Sequence, residues 1–280
     1  MEKLTTNVRR VKVSYTIFNP NASETVVFLH GFTGSMKTWN PIIEQIPGTI
    51  RCIAVDLLGH GETDSPIDPS RYQIQQQLLD LHELFTSLQM TKFTLIGYSM
   101  GGRVACAYAL EYSDTVNQLI LESASPGLKT RKERQDRIVA DNKLAKRIEI
   151  EGVESFIDFW QDIPLFKSQK KLTECKKHSI RHERIQQSAR GLANSLRGVG
   201  TGKQPSYWSS LDQLTMPVLL ITGELDQKFN LIAQQMKNSI PNAEHIQVSA
   251  VGHAIHVENP VQFATIIKKQ LKDFILGGRV

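Results

Sequence analysis

Three kinds of side chain that together activate a hydroxyl group occur along this chain. A serine sits in the string Gly97-Tyr98-Ser99-Met100-Gly101, carboxylates stand at Glu122, Glu224 and Asp226, and histidines at His253 and His256. An alcohol is a weak nucleophile and a weak base until an imidazole takes its proton and a carboxylate holds the imidazole in the right tautomer. The GxSxG spacing has a mechanical reason: a serine on a sharp strand-to-helix turn needs small neighbours, and the turn lifts its Oγ clear of the backbone. The surrounding residues supply that context. FTLIG precedes the motif as a buried-strand run, and RVACAYAL follows it as an Ala-rich helical one. The positive end of that helix then faces the serine.

An acid and a histidine must follow the serine in chain order. Asp226 leaves the end of the apolar run VLLITG, with Glu224 two residues before it and Glu122 at the end of QLILES as competitors. His253 follows Gly252, which lets the chain turn back over the serine; His256 is the alternative. Two backbone N–H groups are expected to receive developing negative charge, that of Met100 and that of Phe32 in the loop His30-Gly31-Phe32-Thr33-Gly34. Gly31 is expected to take an unusual backbone angle there, and His30 to scaffold the loop rather than act as a base. His60 reads as a turn residue.

The elements that must position these groups are legible from periodicity. Val11, Val13, Tyr15 and Ile17 alternate with polar residues, the pattern of a half-buried strand. TVVFL, CIAVD, FTLIG, QLILES and PVLLITG are short continuous apolar runs suited to parallel strands buried on both faces, and EHIQVS is a further candidate. Ile74, Leu78, Leu81, Phe85 and Leu88 recur at helical spacing, and Pro260–Phe274 reads as a closing helix. Strand and helix in alternation predict an α/β fold, a mostly parallel sheet flanked by helices. Residues 127–205 break the rhythm and read as a helical cap placed over one edge of the sheet. Residues 1–126 and 206–280 then form the core.

Charge separates the same segment. Residues 127–205 hold 18 Lys and Arg against 10 Asp and Glu, leaving 15 and 18 elsewhere within a chain of net charge +5. That suggests an anionic partner, or a solvated helical surface. Nucleic acid is the weaker reading, because no recognition motif accompanies the charge. Three scattered cysteines, Cys52, Cys106 and Cys175, fit a reducing compartment and have no metal-ligand spacing. No secretory pattern opens MEKLTTNVRR, and no apolar run reaches the roughly 20 residues of a membrane span, so a cytoplasmic location is expected. LRGVGTG has GxGxG spacing without a preceding strand, a poor dinucleotide site.

Taken together, FLHGFTGSMKTW, GYSMGGRVA, ESASPGLK, GLANSLRGVGTGKQP and TGELDQKF resemble the α/β-hydrolase superfamily. Within it they look like the 2-succinyl-6-hydroxy-2,4-cyclohexadiene-1-carboxylate synthases of menaquinone biosynthesis. Leu58 in DLLGHG departs from the superfamily, which often has proline there. The resemblance implies an α/β-hydrolase fold, Asp226 as the acid beside Ser99 and His253, and a lyase rather than a hydrolase. The substrate would be a cyclohexene with an enolpyruvyl ether, a ring carboxylate and a succinyl side chain, from which pyruvate is eliminated. It implies carboxylate-binding or packing roles for Arg103, Arg137, Trp160 and Arg184, with Tyr98 and Lys228 as lesser candidates, and no metal or organic cofactor. A carboxylesterase or carbon–carbon hydrolase with Ser99 as covalent nucleophile is the alternative. The partner is then a small polycarboxylate, with oligomeric state open.

Overall fold

Alternating and continuous apolar runs become strands, as their periods predict. In the computed structural model, which describes residues 2–277, they form one eight-stranded sheet. The chain runs β1 (Glu2–Val8), β2 (Val11–Phe18), β3 (Glu24–Leu29), α1 (Asn40–Ile43), β4 (Ile50–Val55), α2 (Ile74–Ser87), β5 (Phe93–Tyr98), α3 (Met100–Glu111) and β6 (Val116–Glu122). Three helices follow, α4 (Arg131–Trp160), α5 (Glu174–Ile185) and α6 (Ala189–Val199). The sheet resumes with β7 (Val218–Gly223), α7 (Gln227–Lys237), β8 (Ala243–Val248), α8 (Ile255–Glu258) and α9 (Pro260–Gly277). Across the sheet the order is β1-β2-β4-β3-β5-β6-β7-β8, parallel from β4 onward, with β2 antiparallel to both of its neighbours.

Successive strand residues point to opposite faces, and each face has its own core. Val27, Leu29, Val55 and Leu95 pack with α2 and α3, whereas Val26, Phe28, Ala54 and Ile96 pack with α1 and α9. β5 and β7 are buried at every position, which is why their sequences read as unbroken apolar runs.

β1 was not predicted. Its residues EKLTTNV are mostly polar and half exposed because it is an edge strand. Its hairpin to β2 turns through Arg9 (φ 45°) and Arg10 (φ 66°), a two-residue turn that usually carries Asn-Gly. Arg9 is held there by the buried Asp80 at 3.0 Å and by Gln76 at 2.7 Å.

α4, α5 and α6 leave the sheet between β6 and β7 and lie above the carboxyl ends of the central strands, not over an edge of the sheet. This corrects the expected placement, and it puts the basic segment directly over the serine. α4 starts with a Thr130–Glu133 capping box and breaks at Gly152, whose φ is 82°. The glycine-rich tract packs the cap closely: a Cβ at Gly191 would lie 2.0 Å from Gly59 O, and one at Gly198 2.5 Å from Tyr72 Cβ.

Candidate active site

β5 delivers Ser99 and α3 begins at once behind it. Ser99 sits at φ 49°, ψ −102°, a strained conformation for a residue with a Cβ. Close packing over-determines it. A Cβ at Gly97 would meet Gly101 O at 2.5 Å, and one at Gly101 would meet Leu29 O at 2.3 Å, so both flanking positions require glycine. Ser99 N–H donates to Glu122 O at 2.9 Å, which ties the turn to β6.

The competing acids and histidines are sorted by geometry. Ser99 Oγ donates to His253 Nε2 at 3.0 Å, and His253 Nδ1 donates to Asp226 Oδ2 at 2.6 Å. Asp226 Oδ1 also accepts the Phe229 N–H at 3.3 Å, so the start of α7 fixes the plane of the carboxylate. Glu224 turns outward to accept the Ala250 N–H. Glu122 is buried and pairs with the other histidine: His256 Nδ1 lies 2.8 Å from its carboxylate, and His256 Nε2 faces Thr38 Oγ1 at 3.0 Å. His256 therefore packs and anchors α8. Three aromatic rings, Phe229, Tyr98 and Phe166, stand 4.6, 5.4 and 6.0 Å from the His253 ring and keep bulk water from it.

The loop after β3 comes up beside the serine. The Met100 N–H is among the first groups of α3 and has no partner within the helix. Phe32 lines the same cavity. His30 Nδ1–H donates to Gly31 O at 2.8 Å, and its Nε2 accepts the Leu57 N–H at 3.0 Å. Only a neutral imidazole can do both, and burial accordingly pushes its pKa down to about 3. The unusual backbone angle in this loop belongs to Thr33 (φ 68°), not to Gly31. Gly31 is required for space instead, since a Cβ there would lie 2.5 Å from the Tyr98 ring.

A cavity of about 370 Å³ opens above Ser99 and His253. Arg103, Arg137, Trp160 and Lys228 line it, with Phe32, Ser195 and Thr201, and no Asp or Glu is among its lining residues. Arg103 lies one helical turn after Ser99, and its Nη1 is held by Val199 O at 2.8 Å and Gln204 Oε1 at 2.6 Å. Burial and the neighbouring Arg137 bring the Arg103 pKa down to about 10. Trp160 Nε1 is buried without a protein partner. Tyr98 and Arg184 are not in this cavity. They border a smaller space beyond Phe166, with the Arg184 guanidinium 5.1 Å from the Phe166 ring and its Nη1 unpartnered. Sequence reasoning missed Phe166 and Phe229, which carry no motif, and Gln204, whose signal is only its place in the tract ending at Pro205. Among the described residues no three His, Cys, Asp or Glu side chains converge as a metal site would require.

The family model for the alpha/beta hydrolase fold matches residues 24–260. A Bacillus subtilis (strain 168) protein, provisionally named 2-succinyl-6-hydroxy-2,4-cyclohexadiene-1-carboxylate synthase, is 48% identical over 252 residues, 90% of this chain and 92% of that protein. A Salmonella typhimurium (strain LT2) protein with the same name, unqualified, is 32% identical over 84% of this chain and 88% of its own length. Among solved structures, MenH from S. aureus superposes with a TM-score of 0.89 at 38% identity, covering 93% of this chain and 98% of that one.

Proposed function

This chain belongs to the alpha/beta hydrolase fold family and, within it, to the 2-succinyl-6-hydroxy-2,4-cyclohexadiene-1-carboxylate synthases; from that membership and the site's geometry we propose how it eliminates pyruvate. It is a carbon–oxygen lyase of menaquinone biosynthesis acting on 2-succinyl-5-enolpyruvyl-6-hydroxy-3-cyclohexene-1-carboxylate. The substrate has one ring double bond and the product two, with pyruvate lost, which dictates the chemistry. The ring proton beside the succinyl carbonyl must leave, and its electron pair forms a new ring double bond. The existing double bond moves one position along, and the C–O bond to the enolpyruvyl group breaks with its pair on oxygen. Enolpyruvate departs, takes up the proton held by the imidazolium of His253, and ketonises to pyruvate.

Ser99 Oγ takes the ring proton as His253 Nε2 accepts the hydroxyl proton, with Asp226 stabilising the imidazolium. The Phe32 and Met100 N–H groups receive the charge that spreads into the succinyl carbonyl oxygen. Arg103, Arg137 and Lys228 hold substrate carboxylates, and Trp160 Nε1 donates into the same space. Arg184 and Tyr98, which border the separate space beyond Phe166, take no part in this scheme. Nothing in this scheme calls for a cofactor or a nucleic acid. Three free cysteines, with Cys175 exposed, support a cytoplasmic setting. Among the described residues no helix is long and apolar enough to cross a membrane.

The observation that carries this reading is the hydrogen-bonded Ser99–His253–Asp226 chain opening into a cavity with three cationic side chains and no acidic lining. A neutral ester would have no use for that charge. The test supplies the enolpyruvyl cyclohexene and follows pyruvate release, with p-nitrophenyl acetate in parallel and mass spectrometry of quenched enzyme. Pyruvate release from unmodified protein is expected. A substrate-derived adduct on Ser99, or ester hydrolysis without pyruvate release, would replace the lyase by a covalent serine hydrolase.

A further inference from the structure

Asp141 lies behind the cationic wall of the cavity and is absent from every role assigned so far. It projects from α4 one turn after Arg137, a spacing that on most helices gives a solvated ion pair of little consequence. Here the carboxylate is 2% exposed. Arg137 Nε donates to its Oδ1 at 2.7 Å, while Oδ2 is buried with no hydrogen-bond partner. Room for it is made deliberately close: a Cβ at Gly200 would stand 2.5 Å from Oδ2. Arg103, buried on the other side, is repelled by Arg137 and attracted by Asp141. One acid therefore serves two cavity arginines.

A buried Arg103 beside the half-exposed Arg137 is costly without an opposing charge. The pair would also retain any polyanion, and both products of the elimination are anions. Binding Arg137 through Nε has a geometric consequence. It fixes the guanidinium plane and leaves the Nη edge free to make the two-pronged contact that a carboxylate prefers.

We propose that Asp141 is a positioning residue of the carboxylate site: it orients Arg137 through Nε and, as the internal counter-charge of the Arg103–Arg137 pair, limits how tightly the cavity holds anions. This deepens the lyase reading and rests on it for the substrate, but the anion-binding part is testable without turnover.

Two replacements separate orientation from charge. Asp141→Asn keeps an acceptor for Arg137 Nε and removes the charge, whereas Asp141→Ala removes both. Citrate, a stable tricarboxylate, serves as probe in calorimetric titrations, and pyruvate release gives kcat and KM. Asp136→Asn is the control, an exposed partner of Lys132 on the same helix. Loss of a unit charge several ångströms from the bound anion is expected to tighten citrate binding to Asp141→Asn about 10-fold. KM should fall by a similar factor, with kcat down about 3- to 10-fold as products leave more slowly. Asp141→Ala, its arginine unaligned, should instead show a raised KM and kcat/KM lower by about 10- to 100-fold. A purely structural role would move both variants the same way, with citrate affinity unchanged or weakened. The proposal is overturned if Asp141→Asn binds citrate no more tightly than wild type, or if the two variants are indistinguishable. Should wild type release no pyruvate while Asp141→Asn still tightens on citrate, the lyase reading falls and the role of Asp141 stands.

Discussion

At the scale of single residues, Ser99 pays for its reach with backbone strain, and that separates its catalytic from its structural contribution. Ser99→Ala should lower kcat for pyruvate release by roughly a thousand-fold or more with little change in melting temperature. His253→Ala should match it, and the double variant should be little worse than either. Near-wild-type turnover in either single variant would sink the triad. Ser99→Gly tests the strain itself: glycine meets no Cβ penalty at φ 49°, so this inactive variant should melt above Ser99→Ala, by about 1 kcal/mol of stability. The arginines permit a comparable separation. Arg103→Ala or Arg137→Ala leaves a substrate carboxylate without its partner, costing about 2–5 kcal/mol, or roughly 30- to several-thousand-fold in kcat/KM. Lysine at either position should recover only part of that, since it keeps the charge and loses the fork. Lys170→Ala, at an exposed position outside the cavity, should change kcat/KM by less than about threefold. Equal losses from the arginine and lysine changes would mean that the charge of the cap is general surface character.

At the scale of elements, the oxyanion loop between β3 and α1 depends on a side chain that never touches substrate. His30 fastens Gly31 O on one side and the Leu57 N–H after β4 on the other. His30→Ala strands both buried groups, and each unmade bond costs about 1–3 kcal/mol. The Phe32 N–H should then lose its aim, lowering kcat by about 100-fold with KM nearly unchanged, accompanied by a lower melting temperature. A variant that loses stability but keeps kcat would show that the loop holds its shape without the histidine. The elements around this loop were legible because buried parallel strands leave continuous apolar runs and because the nucleophile turn tolerates few residues. β1 was illegible for the opposite physical reason, an edge strand needing only one apolar face and here turning through two arginines. The backbone angle expected at Gly31 falls at Thr33, since sequence cannot distinguish a glycine needed for its φ from one needed to admit a tyrosine ring.

At the scale of the whole molecule, sequence showed that residues 127–205 were helical and basic, but not where they lie. Position above the strand ends depends on side chains meeting across long separations, such as Arg103 with Gln204 and Ser168 Oγ with Glu258. The same long-range packing buries titratable groups, with a consequence for acid stability. His30 and His60 are held neutral, with pKa values pushed by burial from the usual 6.5 to about 3 and about 4. Unfolding lets both take up protons below pH 6.5, so their contribution to stability is present above that pH and lost as it falls. Burial moves Asp56 the other way, from 3.8 to about 6, so the folded state gains relative stability as that group protonates. From these shifts, acidification from pH 7.5 to 4.5 should cost roughly 2–3 kcal/mol for each histidine and return roughly 2 kcal/mol at Asp56. The net loss is on the order of 3 kcal/mol, which for a protein of this size should lower the melting temperature by on the order of 10 °C. Scanning calorimetry across that range should show the decline beginning near pH 6.5. His60→Asn removes one of the two proton acceptors and leaves His30 nearly offset by Asp56, so the slope between pH 6 and 4.5 should almost vanish. Identical pH profiles for wild type and His60→Asn would mean that the His60 imidazole is not held neutral by burial, whatever the buried carboxyls of Asp80, Asp141 and Glu258 return on protonation.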